Sequence, residues 1–325
     1  MKTILVSAPY LLPALDRFRP VLEAFDLELI VPEVHERLSE EEILAFAGQF
    51  DGAICGDDRY SRRVIQACAP PLKVISKWGT GIDSIDQDAA RDAGVMVGNT
   101  KNAFTVPVSE SVMGYMLAFA RQIPWLDKAI KAGQWDKIIG KTLSECTLGV
   151  IGVGRIGKAV LRRARAFGMT LLGNDIVEVP SDFLIENGVT MTSLDELMAQ
   201  SDFISINCTL NPTSYHLIDG EQLAQCQPNA VLINTARGPI VHQEALIAAL
   251  QSGALRGAAL DVFEEEPIPI DSPLLRMDQV LLAPHNSNSS PRFWEHVHWN
   301  TIKNLLIGLG INPEPLVELR KIYEV

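Results

Sequence analysis

Short runs of aliphatic and β-branched residues recur along the chain, each followed by a stretch whose apolar positions repeat at helical spacing. That alternation predicts parallel α/β sheets. In the first hundred residues the candidate strands are 3–7, 27–31, 52–55, 73–77 and 95–97, with helical periodicity at 40–50 and 61–69. A long apolar segment, 108–120, predicts a helix. A second series of strands follows at 147–151, 170–175, 203–207, 230–234, 257–260 and 280–282. Six strands with intervening helices is the count of a complete dinucleotide-binding domain. After Pro291, the positions of Trp294, Val297, Ile302, Leu305 and Leu306 predict a helix that returns to the first domain. The expected architecture is two doubly wound parallel-sheet domains, one at 99–291 inserted in a smaller one made of 1–98 and 292–325.

Composition narrows the class. Of 325 residues, 47% are hydrophobic and 21% charged, which supports buried cores and excludes a disordered chain. No apolar run approaches the roughly 20 residues that span a bilayer. Met1, Lys2 and Thr3 lead straight into the first strand, so no secretory leader is expected and the protein is read as cytoplasmic. Cys55, Cys68, Cys146, Cys208 and Cys226 lack CxxC or Cys/His spacing, so they are expected to be small core residues, and no metal site is predicted. A net charge of -12 disfavours nucleic acid and anionic membrane as partners, because both reward a basic face.

The strongest local motif runs from Gly149 to Gly157, leaving an apolar strand and entering a helical stretch, with its GxGxxG at Gly152, Gly154 and Gly157. The first glycine permits a tight turn, the second lets backbone N–H groups approach a pyrophosphate, and the third allows close helix packing. Asp175 ends the next strand, where an acid suits ribose hydroxyls and repels the extra phosphate of NADP. No Arg or Lys follows in Ile176, Val177, Glu178 or Val179 to offset that repulsion, so NAD is the expected cofactor.

Three further segments sit where strands of the second domain should end, which is where such sheets bind ligands. They are Asn234 to Gly238, Leu260 to Pro267, and Ala283 to Asn286. Arg237 closes an apolar strand and suits a bidentate hold on a carboxylate. His285 can exchange a hydroxyl proton near neutral pH, and a neighbouring acid would fix its ring. Taken singly, each has a plainer reading: a surface ion pair, a solvated acidic turn, a structural histidine. That plainer reading is kept for His35, His216, His242, His296 and His298.

These motifs together resemble the D-isomer-specific 2-hydroxyacid dehydrogenase family. The resemblance is carried by Lys77 to Asp83 (KWGTGID), Asn99 to Glu110, the GVGRIG loop, the NTARG stretch, DVFEEEP and the APH strand end. It implies a Rossmann NAD-binding domain inserted in a flavodoxin-like substrate domain, and hydride transfer between NAD(H) and C2 of a small 2-oxo or D-2-hydroxy acid. Arg237 would bind the substrate carboxylate, Glu266 would pair with His285, and His285 would be the general acid/base. Lys77 and backbone N–H groups near Trp78, Gly79 and Thr80 would serve substrate binding. Arg155, Ile156, Cys208, Thr209, Ser214, Thr235, Ala236 and Asp261 would join the glycine loop and Asp175 around the cofactor. The apolar stretch 108–120, with Trp125 and Trp135 beyond it, would help form a homodimer.

The polar run after His285, Asn286 to Ser290, favours a polar substrate tail. Lys77 occupies a position that could hold a phosphate, as in phosphoglycerate dehydrogenases, yet Asp57 and Asp58 nearby would oppose one. Formate dehydrogenases are disfavoured by Glu266, where glutamine is expected. Phosphite dehydrogenase activity and an NAD-sensing corepressor role share the Arg, Glu and His set and stand as alternatives.

Overall fold

The structure, a computed structural model, describes residues 1–324, which form two compact units, one of residues 1–103 with 290–324 and the other of residues 104–289. The first unit opens with β1 (Lys2–Val6), α1 (Leu15–Glu23), β2 (Leu27–Ile30), α2 (Glu40–Leu44) and β3 (Gly52–Cys55). It continues with α3 (Arg62–Cys68), β4 (Val74–Lys77), α4 (Gln87–Asp92) and β5 (Met96–Gly98). Side chains of Ser39, Ser61 and Asp86 cap the N-termini of α2, α3 and α4, accepting backbone N–H groups that have no partner inside a helix.

The second unit holds α5 (Thr105–Arg121), α6 (Ile123–Lys131), β6 (Thr147–Ile151), α7 (Arg155–Ala166), β7 (Thr170–Asn174), α8 (Ser181–Asn187) and β8 (Val189–Met191). Then come α9 (Leu194–Gln200), β9 (Phe203–Ile206), α10 (Gly220–Ala224), β10 (Val231–Asn234), α11 (Gln243–Ser252), β11 (Gly257–Leu260) and β12 (Val280–Leu282). The chain returns to the first unit with α12 (Pro291–Gly308) and α13 (Leu316–Tyr323).

The first sheet runs β2-β1-β3-β4-β5 with every pair parallel. This is the flavodoxin-like order, whose direction of winding reverses between β1 and β3. α12 packs on this sheet so closely that a Cβ on Gly52 would lie 2.9 Å from Leu305, and one on Gly308 would lie 2.4 Å from Val74. The returning helix is thus part of the first core, as its apolar spacing predicts.

The second sheet runs β12-β11-β10-β9-β6-β7-β8, again parallel throughout. It has seven strands where the sequence pattern predicted six. The extra one, β8, has three residues, too short for a hydrophobic period to register, and forms by pairing with the edge of β7. In α5, Val112, Met113, Met116 and Phe119 are buried within this unit, against neighbours that include α7 and the sheet. Its apolar surface therefore does not by itself call for a partner chain, which corrects the sequence argument. The exposed apolar side chains come later, at Ile123, Ile130, Trp135 and Ile139. Among the described residues no helix is long and apolar enough to cross a membrane.

Candidate active site

Because all seven strands of the second sheet are parallel, their carboxyl ends form one row, and strand order sets the sequence of side chains along it. The row carries His285 after β12, Asp261 and Glu266 after β11, Thr235 to Arg237 after β10, Asn207 and Cys208 after β9, the glycine loop after β6, and Asp175 after β7. The winding reverses between β6 and β9, the place where open α/β sheets bind ligands.

At the glycine loop the three glycines are required for different reasons. Gly152 has φ 89°, and a Cβ there would lie 2.5 Å from Cys208 N, so the turn passes against the end of β9. A Cβ on Gly157 would lie 2.1 Å from Gly152 O, which is what brings α7 close to β6. Gly154 is unlike either: it has ordinary φ, and a Cβ there would meet nothing within 4 Å. Neither turn nor packing asks for glycine at this N-cap, so an open approach to the N-terminus of α7 is what the residue preserves. Arg155 is exposed and Ile156 half-buried in the first turn of α7.

Asp175 is tied to the same loop. Its Oδ2 accepts Val153 N–H at 2.7 Å and its Oδ1 accepts Val177 N–H at 2.9 Å, so the acid is held beside the glycine turn. Each carboxylate oxygen keeps further acceptor capacity for a hydroxyl. Two buried polar atoms, Asn207 Oδ1 and Thr235 Oγ1, have no hydrogen-bond partner among the described residues, although they sit at the adjacent ends of β9 and β10. Such orphans are uncommon inside proteins and mark places for a polar ligand. Glycine cradle, anchored acid and orphaned acceptors together fit a dinucleotide.

Other residues expected here make defined contacts within the chain. The Ser214 hydroxyl donates to Thr209 O at 2.6 Å and accepts Asn211 N–H at 2.9 Å, so it shapes the loop after β9. Burial pushes the Cys208 thiol up to about 11, leaving it neutral and effectively apolar near pH 7. Asp261, 1% exposed, accepts Asn286 N–H at 2.8 Å and Ser287 N–H at 2.9 Å, while its carbonyl accepts His285 N–H at 2.8 Å. It grips the backbone on both sides of the histidine.

That grip explains an unusual backbone. His285 has φ 50°, a left-handed conformation that costs a non-glycine residue free energy and persists only where its surroundings impose it. Its Nδ1 lies 3.0 Å from Glu266 Oε2, and Glu266 Oε1 accepts Phe263 N–H at 2.9 Å, so acid and imidazole are both fixed.

Arg237 follows β10 in a turn built by Asn234, whose Nδ2 donates to Arg237 O at 2.9 Å and whose Oδ1 accepts Ala236 N–H at 3.1 Å. Gly238 comes next, and a Cβ there would lie 1.8 Å from Phe263 O. The arginine turn and the Glu266 loop touch backbone to backbone, which only glycine allows.

In the first unit, Lys77 to Thr80 leave the carboxyl end of β4. Trp78 N–H donates to Cys55 O at 2.8 Å, so that one N–H is taken up by the sheet. The loop of Gly79 and Thr80 is held by Thr100 N–H on Gly79 O at 2.8 Å and by the Thr80 hydroxyl on Thr100 O at 2.9 Å. Sequence reasoning passed over Asn207, whose signal was the same as that of Arg237: a polar residue closing an apolar strand. It also missed Tyr115 on α5, whose hydroxyl is pushed up to about 12 by burial and by the neighbouring Asp261 charge. Nothing local marks Tyr115, because its neighbour is 146 positions away, from 115 to 261.

Fold and strand-end layout define a two-domain α/β protein with a dinucleotide-binding sheet. Residues 113–287 match the model of the D-isomer specific 2-hydroxyacid dehydrogenase, NAD binding domain. The chain is 41% identical over 261 residues to a D-3-phosphoglycerate dehydrogenase of Methanocaldococcus jannaschii, a match covering 79% of this chain and 49% of that protein. It is 37% identical over 294 residues to a glyoxylate reductase of Thermofilum pendens, covering 88% and 86%. A crystal structure of D-lactate dehydrogenase from Aquifex aeolicus complexed with NAD and lactic acid superposes with TM-score 0.84 at 27% identity, covering 98% and 97%. The chain belongs to the D-isomer-specific 2-hydroxyacid dehydrogenase family, whose members are NAD-dependent oxidoreductases.

Proposed function

We propose that the protein is an NAD-dependent reductase and dehydrogenase of a small 2-oxo/D-2-hydroxy acid pair. The observation that supports this reading most is the anchored Glu266–His285 pair at 3.0 Å, one strand from Arg237 along the same sheet edge. When bound, the nicotinamide supplies or accepts the hydride. Arg237 binds the substrate carboxylate and orients the carbonyl. His285 Nε2 gives a proton to the carbonyl oxygen in reduction and removes it in oxidation, while Glu266 holds Nδ1 and offsets the imidazolium charge. Asp261 keeps the histidine in place through the backbone. Asp175 meets the ribose hydroxyls and sets the preference for NAD.

The test is NADH oxidation followed by absorbance with glyoxylate, hydroxypyruvate, pyruvate, 2-oxoglutarate, phenylpyruvate and 3-phosphohydroxypyruvate, repeated with NADPH and with Asp175→Ala. Turnover with at least one short 2-oxo acid is expected, with NADH strongly preferred and that preference narrowed by at least about tenfold in the variant, one ribose contact being worth ~1.4 kcal/mol or more. Silence across the panel with NADH bound would overturn the reading. An unchanged preference in Asp175→Ala would remove the ribose assignment.

A homodimer is proposed as well, now through residues 123–139 rather than α5. α6 buries no residue of its own, and Trp135 and Ile139 are 84% and 95% exposed, an apolar surface of the kind that marks protein contacts. Sedimentation at micromolar concentration should show a dimer, and a monomer there would sink the assignment.

A further inference from the structure

Three consecutive acids follow β11, and each meets different surroundings. Glu265 is exposed, Glu266 holds His285, and Glu264, its side chain 30% exposed, is joined to α11 and to the loop after β9. Glu264 Oε1 accepts Gln243 N–H at 3.1 Å and lies 2.8 Å from His216 Nε2. Gln243 is the first residue of α11. The carboxylate therefore takes up an N–H that the helix leaves without a partner, and puts negative charge where the helix favours it. His216 belongs to the loop after β9. One side chain on the acid/base loop thus reaches the segments that follow the next two strands of the sheet, β10 and β9, all within the second unit.

The histidine end of this contact is itself fixed. His216 has φ 50°, a left-handed backbone that a non-glycine residue keeps only where its surroundings impose it. Its N–H donates to Pro239 O at 2.9 Å, just past Arg237, and its ring stacks on those of Tyr215 and His242, with centroids 4.0 and 4.5 Å away. His242 is fixed in turn: its Nδ1 lies 2.7 Å from Asp219 Oδ1, and its N–H donates to Ile218 O at 2.9 Å. A surface pair usually contributes little, because two mobile side chains must be ordered to make it. Here the ordering is supplied by the backbone, the ring stack and the helix N-terminus.

The contact lies close to the acid/base pair along the chain. Phe263 N–H is accepted by Glu266 Oε1 at 2.9 Å, and Phe263 O is pressed against Gly238, so Glu264 sits inside a turn closed by Glu266. A displacement of Glu264 is carried by that turn into Glu266, and from there into Nδ1 of His285. We propose that Glu264 and His216 form a positioning pair: they brace the 263–266 turn against α11 and the β9 loop, and so hold Glu266 on His285. The pair acts through Glu266, not on substrate or cofactor. This rests on the reading of His285 as the acid/base group.

The test is kcat for reduction of the best 2-oxo acid in Glu264→Ala, His216→Phe, His285→Ala and the double variant Glu264→Ala/His285→Ala, with NADH fluorescence as the binding control. Glu264→Ala should lower kcat by at least about tenfold, since misplacing a reacting group by about 1 Å costs up to about a hundredfold. NADH affinity should stay within about threefold, because the cofactor loop keeps its own bonds through Ser214. His216→Phe keeps a ring in the stack and removes only the hydrogen bond, and should lower kcat by at least about threefold. In the His285→Ala background the loss of Glu264 should cost less than about twofold more, because the brace works through that imidazole, whereas a general loosening of the fold would appear equally in both backgrounds. If either folded single variant, Glu264→Ala or His216→Phe, matches the wild type in kcat, or if removing Glu264 costs as much without His285 as with it, the inference is wrong while the acid/base reading stands. If Glu264→Ala does not fold, His216→Phe decides by the same criterion. A His285→Ala enzyme that keeps wild-type kcat overturns the acid/base reading and the brace with it.

Discussion

His285→Ala is expected to lower kcat for 2-oxo acid reduction by at least about a hundredfold, the usual contribution of a positioned acid/base group, with NADH binding retained. The expectation follows from how much of the local structure serves one ring. Glu266 fixes Nδ1 at 3.0 Å and is itself fixed by Phe263 N–H at 2.9 Å. Asp261 accepts the two backbone N–H groups after the histidine and holds it at φ 50°. A structural histidine with no proton to move would not need its ring and its backbone both imposed from β11. Single-turnover rates with NADH fluorescence as the binding control are the measurement. A loss within about threefold would mean that another group moves the proton. Glu266→Gln should fall between the wild type and His285→Ala, because the amide still holds the ring but does not offset its charge.

Replacing Arg237 by Leu should reduce kcat/KM by about a hundredfold or more, since removing one partner of a desolvated, hydrogen-bonded charge pair costs roughly 2–5 kcal/mol. The loss should appear in KM as well as kcat, because the guanidinium both binds the carboxylate and sets the carbonyl's direction. Arg237→Lys should recover only part of it: an ammonium keeps the charge without the planar fork. The turn itself survives either change, because Asn234 builds it through backbone atoms of Ala236 and Arg237. Steady-state kinetics on the best 2-oxo acid, with thermal unfolding as a fold control, would check this. If Arg237→Leu kept kcat/KM within about threefold, the carboxylate would have to be held elsewhere.

Much of this arrangement was legible without coordinates, for a reason particular to α/β sheets. A buried parallel strand is a short apolar run, and its end is marked where polar residues begin, so Arg237, the 261–266 loop and His285 each stand at a visible boundary. The glycine loop is contiguous, and its strand–turn–helix context is local. What is not local was lost or misplaced. β8 is too short to carry a period. Trp78 reads as part of a binding loop, although its N–H extends the β3–β4 pairing. The apolar run 108–120 looks like surface awaiting a partner until α7 and the sheet are seen to cover it.

The sequence by itself determined the class of fold and the dinucleotide loop with its acid, and it singled out Arg237, Glu266 and His285 as candidates, because each of these is written within a single strand and the turn after it. Only the tertiary structure decided how they are ordered. The sheet places β12, β11 and β10 side by side, which aligns His285, Glu266 and Arg237 on one edge, and sets β9 and β6 between them and Asp175. It decided equally that Lys77 is paired with Asp57, 20 positions earlier in the chain (77 − 57), on the neighbouring strand end. Strand order and cross-strand charge pairing depend on contacts between distant segments, and no local pattern of residues encodes those.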